Sequence, residues 1–150
     1  MRAERSVLPG ALAVGLFTIH EFIYVARGQP ENCLWMCNIG LFSVGLGLLI
    51  PSPITTAVGA FWLTAGFPLW IIYLVTAGDI VTTSVLAHVG GLILGFTGLK
   101  KLGLPPQTWW LAILALAALT LLTRQWSSPE ENINLSYRAY EGSGQLFLSY

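Results

Sequence analysis

The chain has 150 residues, of which 55% are hydrophobic and only 9% are charged, with seven basic and seven acidic side chains. Soluble domains carry roughly 25% charged residues, so this composition excludes an ordinary water-soluble globule and indicates a membrane protein. Zero net charge without a basic cluster argues against nucleic acid as a partner. Two cysteines are too few for a disulfide framework or a zinc site, so we expect no metal.

The apolar stretches predict an all-α bundle of five membrane-spanning helices within residues 1–126. The predicted spans are residues 7–27, 34–50, 54–76, 80–99 and 108–123. Arg2 and Arg5 before the first apolar run resemble a signal peptide, but no small-residue cleavage site follows, so an uncleaved span is expected. Ser52 is expected to cap the third helix and Asp79 to cap the fourth, because free N–H groups there need an acceptor.

Five spans place the two termini on opposite sides of the membrane. Lysine and arginine are slightly more frequent on the N-terminal side, which favours a cytoplasmic N-terminus in a bacterial inner membrane. The C-terminal stretch, residues 127–150, is then an extramembrane tail on the outer face. The alternation of polar and apolar residues in 132–137 predicts an extended segment laid on that surface, with full disorder as the alternative.

His88 is the residue around which a functional site is expected, because an ionisable group within a membrane helix is costly and normally faces the protein interior. Ser84, His88, Gly91 and Gly95 share one helix face at spacings of three and four residues. That face suits a bound ligand or close helix packing. The structural alternative is that His88 only bonds a neighbouring carbonyl and fixes that packing.

Three residues from different spans are predicted to line one cavity in the outer half of the bundle. At about 1.5 Å per residue, His20 lies roughly 10 Å below the outer end of the first span and His88 roughly 12 Å below that of the fourth. Cys37 is shallower, about 5 Å below the start of the second span. The inner half of the bundle holds no comparable group. Both histidines and the cysteine therefore converge under the tail.

Other polar residues of this region have a structural and a functional interpretation. Glu21 points to a different helix face from His20 and either pairs with Arg27 or another helix, or lines the cavity. Cys37 is either a small core residue or a nucleophile, and Asn38 needs a hydrogen-bond partner that would join two helices. A disulfide between Cys33 and Cys37 is not expected from the geometry of successive helical turns.

Three short motifs are similar to those of small, uncharacterised bacterial multi-span membrane proteins, and more distantly to YwaF-type proteins. They are Trp35-Met-Cys-Asn-Ile-Gly40, Ser84-Val-Leu-Ala-His-Val-Gly90 and Asn132-Ile-Asn-Leu-Ser-Tyr137. YwaF-type proteins are in turn related to intramembrane acyltransferases and fatty-acid-ester hydrolases. The resemblance implies that Cys37 is a nucleophile and His88 its base.

Two functions of different classes, and a third without chemistry, are consistent with these residues. In the first, the protein is an intramembrane hydrolase or acyltransferase on lipid substrates, with Cys37 and His88 in catalysis and Asn38 stabilising the oxyanion. It needs no cofactor, and membrane lipids are its partners. In the second, His20 and His88 bind haem or a pigment in an accessory subunit of a larger membrane complex, and Gly91 and Gly95 leave room for the macrocycle. The third is a protein that only packs against other helices.

Overall fold

The computed structural model describes residues 7–77 and 81–137, and these form a helical bundle. The five main helices are α1 Val7–Ala26, α2 Met36–Leu49, α3 Pro53–Ala77, α4 Thr82–Leu102 and α5 Thr108–Trp126. Two short 3-10 helices, Pro30–Leu34 and Ile133–Leu135, precede α2 and follow α5. The described residues contain no strand, so the predicted all-α class is confirmed.

Four of the helices, α1, α3, α4 and α5, are long and apolar enough to cross a membrane. Large apolar side chains on their outer faces are widely exposed, with Leu8 and Phe22 each at 70% and Val75 at 80%. Such exposure is expected where lipid rather than water surrounds the bundle. The predicted membrane bundle is therefore confirmed. The remaining helix, α2, has 14 residues, and its length of about 21 Å falls short of the roughly 30 Å hydrocarbon core.

Glycines allow α2 to approach its two neighbours closely, as small residues do in membrane bundles. A Cβ atom on Gly45 would lie 2.7 Å from Cγ2 of Val14 in α1. A Cβ atom on Gly59 of α3 would collide with the carbonyl oxygen of Gly40 in α2. The core beside these contacts is formed by small and branched apolar side chains from all three helices and α4: Ala13, Leu41, Val44, Leu48, Ala60, Leu63 and Ala87.

The connections follow the sequence signals where those signals were strong. The Ser52 hydroxyl accepts a hydrogen bond from the Thr55 N–H at 3.3 Å, which confirms Ser52 as the cap of α3. On the other side of α3, the Trp62 indole donates to the carbonyl of Ala112 at 2.9 Å and joins α3 to α5. Asp79, the expected cap of α4, lies outside the described residues.

The described part of the tail, residues 127–137, folds back onto the bundle. Its apolar residue Ile133 is only 1% exposed, and the Arg124 side chain donates to the carbonyl of Ser136 at 2.6 Å. The predicted extended conformation is wrong for residues 133–135, which form a 3-10 turn with positive φ at Asn134 and Leu135. The asparagine side chains of this segment form hydrogen bonds with the backbone. These bonds take the place of the inter-strand hydrogen bonds that an extended segment would need. Residues 138–150 lie outside the described part.

The close contact of α2 and α3 predicts how the protein responds to one added methyl group. Gly59→Ala should lower the free energy of unfolding by about 1–3 kcal/mol, because backbone atoms of α2 leave no room for the new Cβ. Gly15→Ala in α1 is the control, since nothing lies within 4 Å of its added Cβ. Thermal unfolding of the detergent-solubilised variants measures both. Equal melting temperatures would show that α2 and α3 are not held together at this point.

The topology is tested by determining on which side of the membrane two positions of the chain lie. Reporter fusions after Lys101 and after Tyr150 should report opposite sides of the membrane, because α5 is long enough to cross between them. Fusions that report the same side would contradict the five-span topology.

Candidate functional site

A short π-helical stretch, Leu86–Gly90, interrupts α4 and contains His88. Such stretches add one residue to a helical turn and are frequent at functional sites, because they redirect a side chain without ending the helix. His88 lies at the middle of this stretch and is 4% exposed. The local backbone therefore aims its imidazole into the bundle and away from lipid.

The hydrogen bonds of His88 determine which ring nitrogen carries the proton. Nδ1 lies 2.8 Å from the carbonyl oxygen of Ser84. A carbonyl can only accept, so Nδ1 bears the hydrogen and Nε2 keeps a lone pair. Nε2 is buried and has no hydrogen-bond partner among the described residues. A buried nitrogen in this state can accept a proton or bind a ligand.

Trp70 holds the His88 ring in place from α3. Its indole stacks on the imidazole with ring centres 4.5 Å apart and planes within 8°. The indole N–H donates to the Ser84 hydroxyl at 2.9 Å. Ser84 thus uses its side chain for Trp70 and its carbonyl for His88. This arrangement holds the His88 ring from two sides and fixes the position of its Nε2.

His20 lies on α1 beside the same stretch of α4. Its Nδ1 is 3.0 Å from the Thr83 hydroxyl, and its ring meets the edge of Tyr24 at 4.8 Å. The side chain is 1% exposed, and the two imidazoles are close enough to interact electrostatically. The two histidines expected to converge are therefore brought together in the interior, from α1 and α4.

Cys37 occupies the first turn of α2, away from the hydrogen-bond partners of the predicted base. Its thiol donates weakly to Oδ1 of Asn38 at 3.9 Å. No hydrogen bond joins Cys37 to His88 in the part of the chain that the structure describes. Cys37 does pack against the core cluster that includes Ala87, the residue before His88. Cys37 and the helical stretch that carries His88 thus border the same apolar core.

Asn38 joins the 3-10 helix Pro30–Leu34 to α2, as the structural interpretation expected. Its side-chain amide donates to the carbonyl of Asn32 at 3.0 Å, and its Oδ1 faces the Cys37 thiol. One of its two N–H donors is therefore committed to the turn. Only the second could stabilise an oxyanion.

Glu21 is the residue whose surroundings sequence reasoning left open. It is 6% exposed, and both carboxyl oxygens are buried without a hydrogen-bond partner among residues 7–77 and 81–137. The Cys33 thiol of the 3-10 helix is the nearest polar side chain known to act on this carboxyl group. Burial, together with this carboxyl group, raises the pKa of Cys33 to about 12. Glu21 also interacts electrostatically with Cys37.

Asn134 of the tail binds the backbone directly before Cys37. Its Oδ1 accepts from the Met36 N–H at 2.7 Å, and its Nδ2 donates to the Leu34 carbonyl at 2.7 Å. The first and third of the motifs singled out in the sequence therefore touch each other. Sequence reasoning placed the tail on this face but missed Asn134 itself, because its partners are backbone groups that no side-chain pattern reveals.

The glycine face of α4 does not leave room for a haem. A Cβ atom on Gly91 would lie 3.1 Å from Leu41 and 3.2 Å from Leu63. A Cβ atom on Gly95 would lie 3.1 Å from Ala60. Protein side chains thus fill the space that the haem interpretation assigns to a macrocycle, and the residues present do not fit that group. The described residues also contain no cluster of His, Cys, Asp or Glu that could hold a metal ion.

Two grooves lie on the outside of the bundle rather than at this site. One of about 530 Å³ runs along α5 and ends at Arg124 and Ser136. The other, of about 280 Å³, follows α1 from Leu8 to Ile19. Neither is lined by a histidine or a cysteine. The predicted cavity between His20, Cys37 and His88 therefore stays a prediction.

No protein-family model matches the chain, and comparisons with curated proteins and with solved structures give no match either. The similarity to YwaF-type proteins accordingly stays a prediction. Function has to be argued from the geometry of the buried site.

The link between Asn134 and the start of α2 is directly testable. Asn134→Ala should lower the free energy of unfolding by about 1–3 kcal/mol, because it leaves the Met36 N–H and the Leu34 carbonyl without their partner. Ser128→Ala is the control in the same segment, since no hydrogen bond of its hydroxyl is described. Thermal unfolding in detergent measures the difference. Equal stabilities of both variants would mean that the tail does not hold α2.

Proposed function

We propose that this protein is an intramembrane enzyme that transfers or hydrolyses the acyl groups of lipid esters, in the inner membrane of a bacterium. Cys37 is the nucleophile and His88 the base that takes its proton. The observation that carries the proposal is the lone pair on Nε2 of His88, which is buried without a hydrogen-bond partner among the described residues in a ring held by Trp70 and Ser84.

The position of Cys37 at the first turn of α2 is compatible with its role as nucleophile. Its thiol is directed towards the Asn38 amide rather than into lipid. The tail crosses the same point through Asn134, which allows it to act as a cover over the nucleophile.

The surroundings of His88 support its role as base. Ser84 fixes the tautomer and Trp70 fixes the ring plane, as an orienting residue does for a catalytic histidine. The gap between Cys37 and His88 is compatible with catalysis, since hydrogen bonds between catalytic groups are often long or absent before substrate binds. We expect that a lipid that enters between the helices brings Cys37 and His88 together. The second N–H of Asn38 then contributes to the oxyanion site.

Membrane lipids are the substrate class that fits this location. The site lies among helices whose outer faces are apolar, so a substrate has to arrive from the hydrocarbon core or its boundary. An acyl ester presents its carbonyl near that boundary and its chain in the core.

The proposal is tested with purified protein and a fatty-acyl ester that becomes fluorescent on hydrolysis. Cys37→Ser should abolish turnover, and His88→Ala should lower kcat about 10²–10⁴-fold through loss of the base. Cys33→Ser is the matched control, since this second thiol lies outside the proposed machinery. Mass spectrometry of the denatured protein should find the acyl group on Cys37. Turnover that persists in Cys37→Ser overturns the proposal, as does an intact protein that neither turns over nor becomes acylated.

A further inference from the structure

We infer that the groove along α5 holds one acyl chain of an anionic phospholipid, and that Arg124 binds the phosphate of that lipid. This α5 groove is separate from His88 and Cys37, and the inference does not depend on the proposed enzymatic activity.

The wall of the α5 groove lies on one face of its helix. Its side chains recur at spacings of three and four residues, which share a helix face: Ile113, Leu116, Ala117, Thr120 and Leu121. The Thr120 hydroxyl donates to the Leu116 carbonyl at 2.9 Å, so this wall presents no unpaired polar group. Ala112 and Leu119 lie on a different face of α5 and are buried with Trp62 of α3. The groove is therefore an apolar channel on the outside of the bundle.

The depth and length of the groove fit one acyl chain. Ala117 is small and stands between two large, exposed side chains, Ile113 one turn before it and Leu121 one turn after it. This difference in size leaves a depression at Ala117. From Ile113 to Arg124 the helix rises by roughly 16 Å, which is about half of the 30 Å hydrocarbon core and hence the thickness of one leaflet.

Arg124 forms the end of the groove next to the tail. Its Nε donates to the Ser136 carbonyl at 2.6 Å, and its guanidinium carbon lies 5.6 Å from the centre of the Tyr137 ring. These two contacts hold the side chain in place, while its two Nη groups take no part in the bond to Ser136. A guanidinium is always charged, and its planar N–H groups match the oxygen atoms of a phosphate. Since a charge beside hydrocarbon is costly, an anion at this position stabilises Arg124.

The surroundings of Arg124 are those expected at the depth of lipid headgroups. Trp126, two residues later, is 76% exposed, and Tyr137 lies against Arg124 itself. Tryptophan and tyrosine are enriched at the boundary between membrane and water. Ser136 also lines this end of the groove, and its buried hydroxyl has no hydrogen-bond partner among the described residues. A phosphate oxygen bound beside Arg124 supplies an acceptor for it.

The charge of the site favours an anionic lipid over a zwitterionic one. In phosphatidylcholine, the positive charge of the choline group offsets the charge of the phosphate. Phosphatidylglycerol has no such cation, so its attraction to Arg124 is not reduced. One basic side chain near a membrane surface favours an anionic lipid about fivefold.

The headgroup contact is tested by native mass spectrometry of the full chain in detergent with diether phosphatidylglycerol. The ether bonds leave no ester to cleave, so binding is measured whether or not the protein is an enzyme. The unmodified protein should bind one molecule of this lipid about fivefold more tightly than diether phosphatidylcholine with the same chains. Arg124→Gln should remove the preference. Arg27→Gln removes a positive charge directly after α1 and is the matched control, which should retain it.

The groove itself is tested by filling it. Ala117→Leu should weaken the binding of both lipids about tenfold, because the added side chain takes the space of the acyl chain. Ala118→Leu makes the same change one position further along the helix, where the residue does not line the groove. It should bind both lipids as the unmodified protein does.

Four results would overturn the inference. The first is equal affinity for the two lipids, and the second is a preference that persists in Arg124→Gln. The third is equal binding by Ala117→Leu and Ala118→Leu. The fourth is displacement of the lipid by glycerol phosphate at equal concentration, which would show a site for small anions rather than for lipid.

The variants also separate a binding defect from a folding defect. Arg124→Gln loses the bond to Ser136, so circular dichroism and the melting temperature show whether it is folded. If it is not, the comparison of Ala117→Leu with Ala118→Leu decides, since both variants keep that bond. None of these measurements depends on acylation of Cys37, so the proposed function can fail while this inference stands.

Discussion

The structure depends on the close approach of α2 to α1 and α3, which glycines in these helices make possible. In lipid, the hydrophobic effect does not favour the packing of one helix on another. Membrane helices are therefore held together by van der Waals contacts and internal hydrogen bonds. The helix α2 is short, and its N-cap residue Trp35 makes no capping hydrogen bond with its side chain. Its position is set by Gly45 against Val14 and Gly59 against Gly40, with Asn134 bound at its start. Because α2 carries Cys37, these apolar contacts also determine where the thiol lies.

Most polar groups inside the bundle have a hydrogen-bond partner. Ser84 bonds both Trp70 and His88, and Thr83 bonds one nitrogen of His20. Among the described residues, the exceptions are the carboxyl group of Glu21, Nε2 of His88 and the hydroxyls of Thr56 and Ser136. Each such group costs about 1–3 kcal/mol when it is buried. Only Glu21 and His88 of these four can exchange a proton near neutral pH, which is consistent with a chemical role.

The tail adds a connection between the end of the chain and the site. Asn134 uses both ends of its amide on the backbone at Leu34 and Met36, across about one hundred residues of sequence. It does so from a backbone with positive φ, which asparagine tolerates better than most residues. The neighbouring Leu135 adopts a positive φ as well, and it tolerates this less. The segment is thus held in place by side-chain contacts rather than by its own backbone preference.

The sequence by itself determined the class of the protein and the depth of its polar residues. Apolar runs and helical periodicity are local properties, so the helices and the cap at Ser52 followed from residues within a few positions of each other. The rise per residue likewise placed His20 and His88 at similar depth. Only the tertiary structure decided which groups face each other. The rotation of each helix depends on contacts such as Gly45 against Val14, which residues in another part of the chain provide. For this reason spacing alone could not predict that Cys37 makes no hydrogen bond to His88, or that side chains fill the glycine face of α4. It also could not predict where Asn134 binds or that the Glu21 carboxyl has no hydrogen-bond partner among the described residues.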